Sequence, residues 1–342
     1  MTSFSWAMML VVTMHALLFH AMPRFSRPDI LFAVTVPDAF VRGAGRALLS
    51  RYRLVVWCGA GAALVIALVL TAASFATERR AFVMMAVVAG NMIVSASAWL
   101  WAHRTARPHA VPDSDTRVAS LVPRDTSLPG GVLFAGGPFA LLLATAVLVS
   151  TQLDQVPTNS KPLGPFGALA MGAVYVAMML TLAMSLARRT RQIAVDNPAA
   201  AAEQRFRRVN VLVLVLAGYG MAIMMSTVTL EAIPSFSGTL SPRLWIVMLP
   251  IMLFNFGVAF WMFRVGQGGH RSVASTAREV RGDATPDHAW KVAGLFYFNP
   301  NDPAIWVEKR VGLGYTLNIG NKGAWLLIGM MLLPMVAVRF FF

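Results

Sequence analysis

Hydrophobic positions along this chain fall into long uncharged blocks separated by short charged ones. A helix needs about 20 apolar residues to cross a ~30 Å hydrocarbon core. Eight blocks meet or approach that length: Phe4–Met22, Leu54–Phe75, Ala81–Ala102, Gly131–Gln152, Phe166–Ala187, Val209–Leu230, Leu244–Phe263 and Ala324–Phe342. The last is interrupted by Pro334 and carries Arg339 near its end. A membrane helix tolerates proline where neighbours satisfy the freed carbonyl, and an arginine near a helix end snorkels to the surface. The pattern predicts an all-α polytopic membrane bundle of about eight transmembrane helices.

Polar and β-rich stretches interrupt this pattern at a few places. Asp38–Arg53 opens on a capping residue and sets Phe40, Ala44, Ala47 and Leu48 at helical spacing among arginines. It reads as a basic amphipathic helix on the inner membrane surface. Asn197–Pro198 starts a helix that extends the sixth span beyond the membrane. Arg104–Gly130, rich in Pro, Ser, Asp and Thr, reads as a loop. In Trp290–Asn321, Leu295–Phe298, Ala304–Glu308 and Tyr315–Ile319 are β-rich runs. Asn299-Pro300-Asn301-Asp302-Pro303 and Gly312/Gly314 are the turn signals between them. The expected layout is a seven-helix region over 1–265 with the amphipathic helix at 38–53, a linker at 266–289, a small cytoplasmic β-hairpin or meander module at 290–321, and the last helix at 324–342.

Composition and charge set the solvent and the orientation. The chain is 57% hydrophobic and 13% charged, against about 25% charged for soluble domains. A net charge of +14 would suggest nucleic acid in a soluble protein. Here the basic residues follow topology instead, and no nucleic-acid partner is expected. They crowd into Arg24 to Arg53, Arg104 to Arg124, Arg188 to Arg208 and Arg264 to Lys322, while the intervening connections hold only Arg79, Arg80, Lys161 and Arg243. Inner connections of membrane proteins collect Lys and Arg. The crowded connections are therefore expected in the cytoplasm of a bacterium, both termini outside, and the lipid bilayer of the inner membrane is the first partner. The first block has no preceding basic residue and no small-x-small site after it, so it reads as a span and not a cleaved signal.

The membrane interior is chemically plain. None of the first seven blocks holds Asp, Glu, Lys or Arg, which argues against an ion-coupled transporter, a pump or a voltage sensor. Asn91, Ser95, Tyr175, Tyr219 and Asn255 are its polar groups, read as interhelical hydrogen-bond partners ahead of a substrate path. Gly59/Ala63/Ala67, Ala86/Gly90 and Ala168/Gly172 form small-residue stripes for close helix packing, and Gly136-Gly137-Pro138 allows a bend. His15 and His20 lie about 140° apart around one helix and cannot share a metal or haem. The single cysteine, Cys58, excludes an internal disulfide and a Cys-based metal site. No HExxH is present, and Asp113-Ser-Asp115 sits in a loop without strand context. No catalytic, cofactor-binding or metal-binding residue is assigned, and an enzyme is not expected.

The segment FYFNPNDPAIWVEKRVGLGYTLNIGN resembles the C-terminal domain of unknown function in a family of bacterial multi-pass membrane proteins. That pattern runs aromatic-Tyr-aromatic-Asn-Pro-x-Asp-Pro, Val-x-Lys-Arg, then Gly-x-Gly-Tyr/Trp-Thr-x-Asn. It falls here on Tyr297, Asn299, Pro300, Asp302, Pro303, Val307, Lys309, Arg310, Gly312, Gly314, Tyr315, Thr316 and Asn318. Leu31–Asp38 and Arg51-Tyr52-Arg53 are similar to the same family, whose usual Phe-Gly-Val-x-Val-Pro is altered by Ala33 in place of Gly. Some relatives are linked to the immunity-type membrane proteins of the sporulation-delaying toxin system. The resemblance implies no activity.

Tyr297, Asn299, Asp302, Trp306, Lys309, Arg310, Gly312, Gly314, Tyr315 and Asn318 are accordingly the candidate surface for a cytoplasmic protein partner or lipid. The expected role is regulatory, signalling or immunity-type and non-enzymatic. The alternative is a transporter or channel for a small neutral or hydrophobic solute, with a cavity near Asn91, Tyr219 or Asn255.

Overall fold

The computed structural model describes residues 3–72, 77–112, 125–155, 164, 166–189, 197–239, 244–272 and 285–341. Their helices are α1 (Ser3–Ala21), α2 (Asp38–Arg42), α3 (Ala44–Ala72), α4 (Thr77–Ala106), α5 (Gly131–Ser150), α6 (Phe166–Ala187), α7 (Asn197–Glu231), α8 (Leu244–Val265) and α9 (Lys322–Phe341). Short strands are β1 (Ile30–Leu31), β2 (Val34–Thr35), β3 (Trp290–Lys291), β4 (Phe296–Tyr297), β5 (Trp306–Glu308) and β6 (Tyr315–Leu317). Asp113-Ser-Asp115, Lys161 and residues 113–124 of the Arg104–Gly130 connection lie outside the described residues.

Among the described residues, six helices are long and apolar enough to cross a membrane: Ser5–Arg24, Ala44–Thr71, Ala81–His109, Gly131–Ser150, Phe166–Ala187 and Pro198–Glu231. The seventh and eighth expected spans correspond to the shorter apolar helices Leu249–Val265 and Lys322–Leu332. Leu133, Val132, Leu326 and Phe82 are among many large apolar side chains left uncovered. In water such surface would cost about 25 cal/mol per Å². Lipid is the solvent that removes this cost, and the chain is a membrane protein.

The chain divides into two compact units. The first comprises Met1–Asp115, Thr285–Tyr297 and Glu308–Leu313. Here α1, α3 and α4 pack around Val12, Ala16, Tyr52, Val56, Ala60, Ala63, Ala98, Trp99 and Ala102. The helix expected over Asp38–Arg53 is two helices. Gly43, with φ −102° and ψ −109°, ends α2, and α3 runs unbroken from Ala44 into the membrane. Asp38 lies inside α2, whose N-cap is Pro37.

The small-residue stripes hold only in part. A Cβ on Gly59 would come within 2.8 Å of Val94, so α3 and α4 meet closely there. Gly90 has open space around it and Ala86 is exposed. The buried face of α4 instead passes through Asn91, Ser95, Ala98 and Ala102. A helix apolar all round carries little signal about which face packs.

The second unit comprises Thr116–Ala284, Phe298–Val307 and Gly314–Phe342. In it Gly172 of α6 lies against Leu142 of α5 and Met225 of α7, as its stripe implies. Pro138 lacks an N–H and so leaves the carbonyl of Phe134, four residues back, without its helical donor. Tyr219 of α7 donates its hydroxyl to that carbonyl at 2.7 Å. The absent side chain of Gly137 makes the room, because a Cβ there would sit 2.0 Å from the Tyr219 oxygen. About two turns farther along α7, Thr145 and Ser226 hydrogen-bond at 2.9 Å between the same helices.

Candidate functional site

The residues singled out between Trp290 and Asn321 fall in both units. Tyr297, Lys309, Arg310 and Gly312 belong to the first, and Asn299, Asp302, Trp306, Gly314, Tyr315 and Asn318 to the second. The strands pair as β1 with β2, β3 with β4 and β5 with β6. Of the hairpin or meander expected from sequence, the structure has hairpins, with Phe296–Tyr297 finding its partner upstream in Trp290–Lys291.

In the first unit, both hairpins turn through residues with positive φ: Phe32 (49°) and Ala33 (66°), then Val292 (49°) and Ala293 (53°). Tight hairpin turns demand that conformation, yet it costs a non-glycine residue roughly 1–2 kcal/mol. Specific contacts hold both turns. The Phe32 ring sits edge-on to Tyr52 at 5.0 Å and Trp99 at 5.3 Å. His103 Nδ1 lies 2.8 Å from the Phe32 carbonyl. Trp99 Nε1–H donates to the Ala293 carbonyl at 3.2 Å. The turns also touch, since a Cβ on Gly294 (φ 88°) would fall 2.1 Å from that of Ala33.

Arg310 closes this arrangement. Its guanidinium donates to the Ala33 carbonyl at 3.0 Å, to the Asp287 carboxylate and to the Thr285 carbonyl, and lies 5.4 Å over the Trp290 ring. Asp287 also accepts the Thr35 amide at 3.1 Å and the Thr35 hydroxyl at 2.8 Å. Ser26 donates to the Arg310 carbonyl at 2.6 Å. Arg27 pairs with buried Glu308 at 2.9 Å. Alternation along an extended segment places Glu308 and Arg310 inward and Lys309 outward, and Lys309 is exposed. Tyr297 is fully buried, its ring 5.2 Å from Trp290.

In the second unit, the buried amide of Asn318 fixes the proline-rich turn. Its Oδ1 accepts the amides of Asn299 and Gly320, each at 3.0 Å. Its Nδ2 donates to the carbonyls of Asn299 at 2.8 Å and Asp302 at 3.1 Å. Asp302 Oδ1 accepts the Ala304 amide at 3.0 Å. Gly314 stands at φ 93°, and Gln267 exchanges two hydrogen bonds with its backbone at 2.7 and 2.8 Å.

Trp306 Nε1–H donates to Ser185 of α6 at 3.0 Å. Buried Arg189 donates to the Trp306 carbonyl at 3.2 Å, pairs with Glu203 at 3.3 Å and lies 4.7 Å over the Tyr315 ring. Tyr315 in turn packs near Phe206, with ring centres 6.1 Å apart. At the rim, Asp125 is held below the usual carboxylate range by the Ser127 hydrogen bonds first and Arg208 second.

Sequence reasoning did not single out Thr35, Arg189, Glu203, Gln267, Asp287 or Glu308. Several of their partners lie far along the chain, 252 residues apart for Thr35 and Asp287 and 281 for Arg27 and Glu308, and no local spacing announces those. The buried side chains of Arg310, Asp302 and Asn318 are engaged in internal bonds. That arrangement builds a scaffold, and its chemistry is hydrogen bonding and charge pairing. Among the described residues no three His, Cys, Asp or Glu side chains gather as a metal site.

A model of a family of unknown function, DUF5808, matches residues 300–325, a span that runs from Pro300 in the turn into the start of α9. No curated protein and no solved structure matches the chain.

Proposed function

We propose that this protein is a non-enzymatic regulatory, signalling or immunity-type protein of a bacterial inner membrane, with eight spans and both termini outside. Its extramembrane segments form a cytoplasmic platform that contacts a protein partner or lipid. The observation that supports this reading is the use of the motif residues. Arg310, Asp302 and Asn318 are buried and bonded to the chain itself, as a framework would be, while Lys309, Val292, Leu295 and Phe296 supply the outward surface. The distribution of Arg and Lys assigns the side of the membrane. Reporter fusions after Arg46 and Arg189 are expected to read as internal and one after Lys161 as external. A reversed or mixed pattern removes the platform.

The transport alternative draws on one feature. Both amide atoms of Asn91 and the hydroxyl of Ser95 are buried without a hydrogen-bond partner among the described residues. Against it, Tyr219 is committed to Phe134 and Asn255 donates to its own helix at Ile251. Purified protein in liposomes should leave small neutral solutes excluded; accelerated uptake abolished by Asn91→Leu would favour transport.

A further inference from the structure

The hairpin formed by β3 and β4 turns its apolar side chains outward. Val292 is 58% exposed, Leu295 48% and Phe296 48%, although Trp290, Ala293 and Tyr297 beside them are buried. A short strand pair with this much uncovered apolar surface needs a cover.

Its position along the helices of its own unit identifies that cover. Ala293 is bonded to Trp99, which lies seven residues before the end of α4, or about 10 Å at 1.5 Å per residue. The neighbouring turn at Phe32 packs on Tyr52, eight residues after α3 begins, or about 12 Å. The two turns are thus hung alongside the helices, some two turns inside their ends. At that level Leu54, Val55, Leu100 and Trp101 are exposed. Both helices belong to apolar stretches able to cross a membrane, Ala44–Thr71 and Ala81–His109. Tryptophan at a span end marks the headgroup level, and Arg51 and Lys291 are exposed nearby, where anionic headgroups would meet them.

We propose that Val292, Leu295 and Phe296 are inserted into the membrane at the boundary between headgroups and acyl chains, making this hairpin a monotopic lipid anchor beside the spans. The inference deepens the lipid-contact half of the proposed function and rests on it for which leaflet is engaged. The hairpin anchors the inner leaflet, and Lys291 adds electrostatic attraction to anionic lipid. Apolar groups lying about 5–10 Å into the boundary are within reach of a quencher carried high on the acyl chain and out of reach of one at its end.

The test uses the full chain with Cys58→Ala and one new cysteine, Leu295→Cys or Phe296→Cys, labelled with an environment-sensitive dye. The protein is reconstituted in vesicles of phosphatidylethanolamine and phosphatidylglycerol. A nitroxide near the headgroup should quench both labels severalfold more than one at the chain end, and aqueous iodide should quench them little. Free access of iodide to both labels overturns the anchor. So does shielding that arises only when cytosolic proteins are added, which would make the hairpin a protein-docking surface. A separate Lys309→Cys variant, treated with an impermeant maleimide in right-side-out and inverted vesicles, reports the side. Reversed labelling there defeats the cytoplasmic reading while leaving the depth measurement to decide insertion.

Discussion

Each unit holds its share of the C-terminal segment with a buried arginine, and the two arginines work differently. Arg310 comes from the segment and reaches two carbonyls, a carboxylate and the face of Trp290. Arg189 comes from the end of the α6 region and reaches one carbonyl, a carboxylate and the face of Tyr315. The first unit also bends its backbone through four non-glycine residues at positive φ, while the second has none among its described residues. Side-chain amides of Asn318 and Gln267 fix the backbone in the second unit. The first unit therefore depends on tertiary contacts to hold turns that its local sequence disfavours. The second builds turns that its local sequence already favours and pins them with hydrogen bonds.

The largest effect should follow Arg310→Ala. It deprives the carbonyls of Ala33 and Thr285 of a donor and Asp287 of its charge partner. Loss of one member of a buried ion pair costs about 3–5 kcal/mol. Arg310→Lys should recover little, since one ammonium cannot reproduce a planar fork serving several acceptors. Arg189→Ala also removes one member of a buried pair and should fall at the low end of that range, about 3 kcal/mol, because fewer carbonyls lose a donor. Thermal unfolding in detergent, with membrane expression as a second readout, ranks the three variants. Equal losses at Arg310 and Arg189 would break the comparison.

Asn318→Asp comes next. The change keeps the shape and the two acceptor roles, but turns two donors into a carboxylate oxygen facing the carbonyls of Asn299 and Asp302. Two lost bonds at roughly 0.5–1.5 kcal/mol each, with repulsion added, predict about 2–3 kcal/mol. Proteolysis between Asn299 and Pro303 should accelerate; unchanged resistance would mean that proline alone sets the turn.

Much of this scaffold was legible in the chain, and the division between what was and was not is physical. The long helices follow from apolar length, so α3, α4, α5, α6 and α7 lie where uncharged blocks lie. Asn299–Pro303 and Gly312/Gly314 were readable as turns because Pro, Asn and Gly carry local backbone preferences. The packing face of α4 was not readable, since a uniformly apolar helix does not distinguish Gly90 from Asn91 by pattern. The pairing of Arg310 with Ala33, 277 residues away, was equally hidden. So was the hairpin at Val292, whose turn uses residues that disfavour its conformation. The seventh and eighth spans rest on composition, and among the described residues α8 and α9 contribute Leu249–Val265 and Lys322–Leu332.

The smallest expected effect sharpens the contrast most, because it acts on strain rather than on contacts. Ala33 stands at φ 66°, a conformation that favours glycine. Relief of a left-handed alanine gains roughly 1–2 kcal/mol, and the extra freedom of glycine in the unfolded chain takes back about 0.4–1 kcal/mol. Ala33→Gly should therefore raise stability slightly, by about 0.5–1 kcal/mol, and should not lower it. Gly294→Ala should destabilise, because its new methyl would meet Ala33 Cβ at 2.1 Å in a backbone conformation that disfavours it. In the double variant the methyl–methyl collision is gone while the strain at residue 294 stays. The loss from Gly294→Ala should then shrink by at least about 0.5 kcal/mol, the coupling expected of residues in contact. Strict additivity would mean that the two turns do not press on one another, and that the first unit tolerates its strained residues through Trp99, His103 and Arg310 alone.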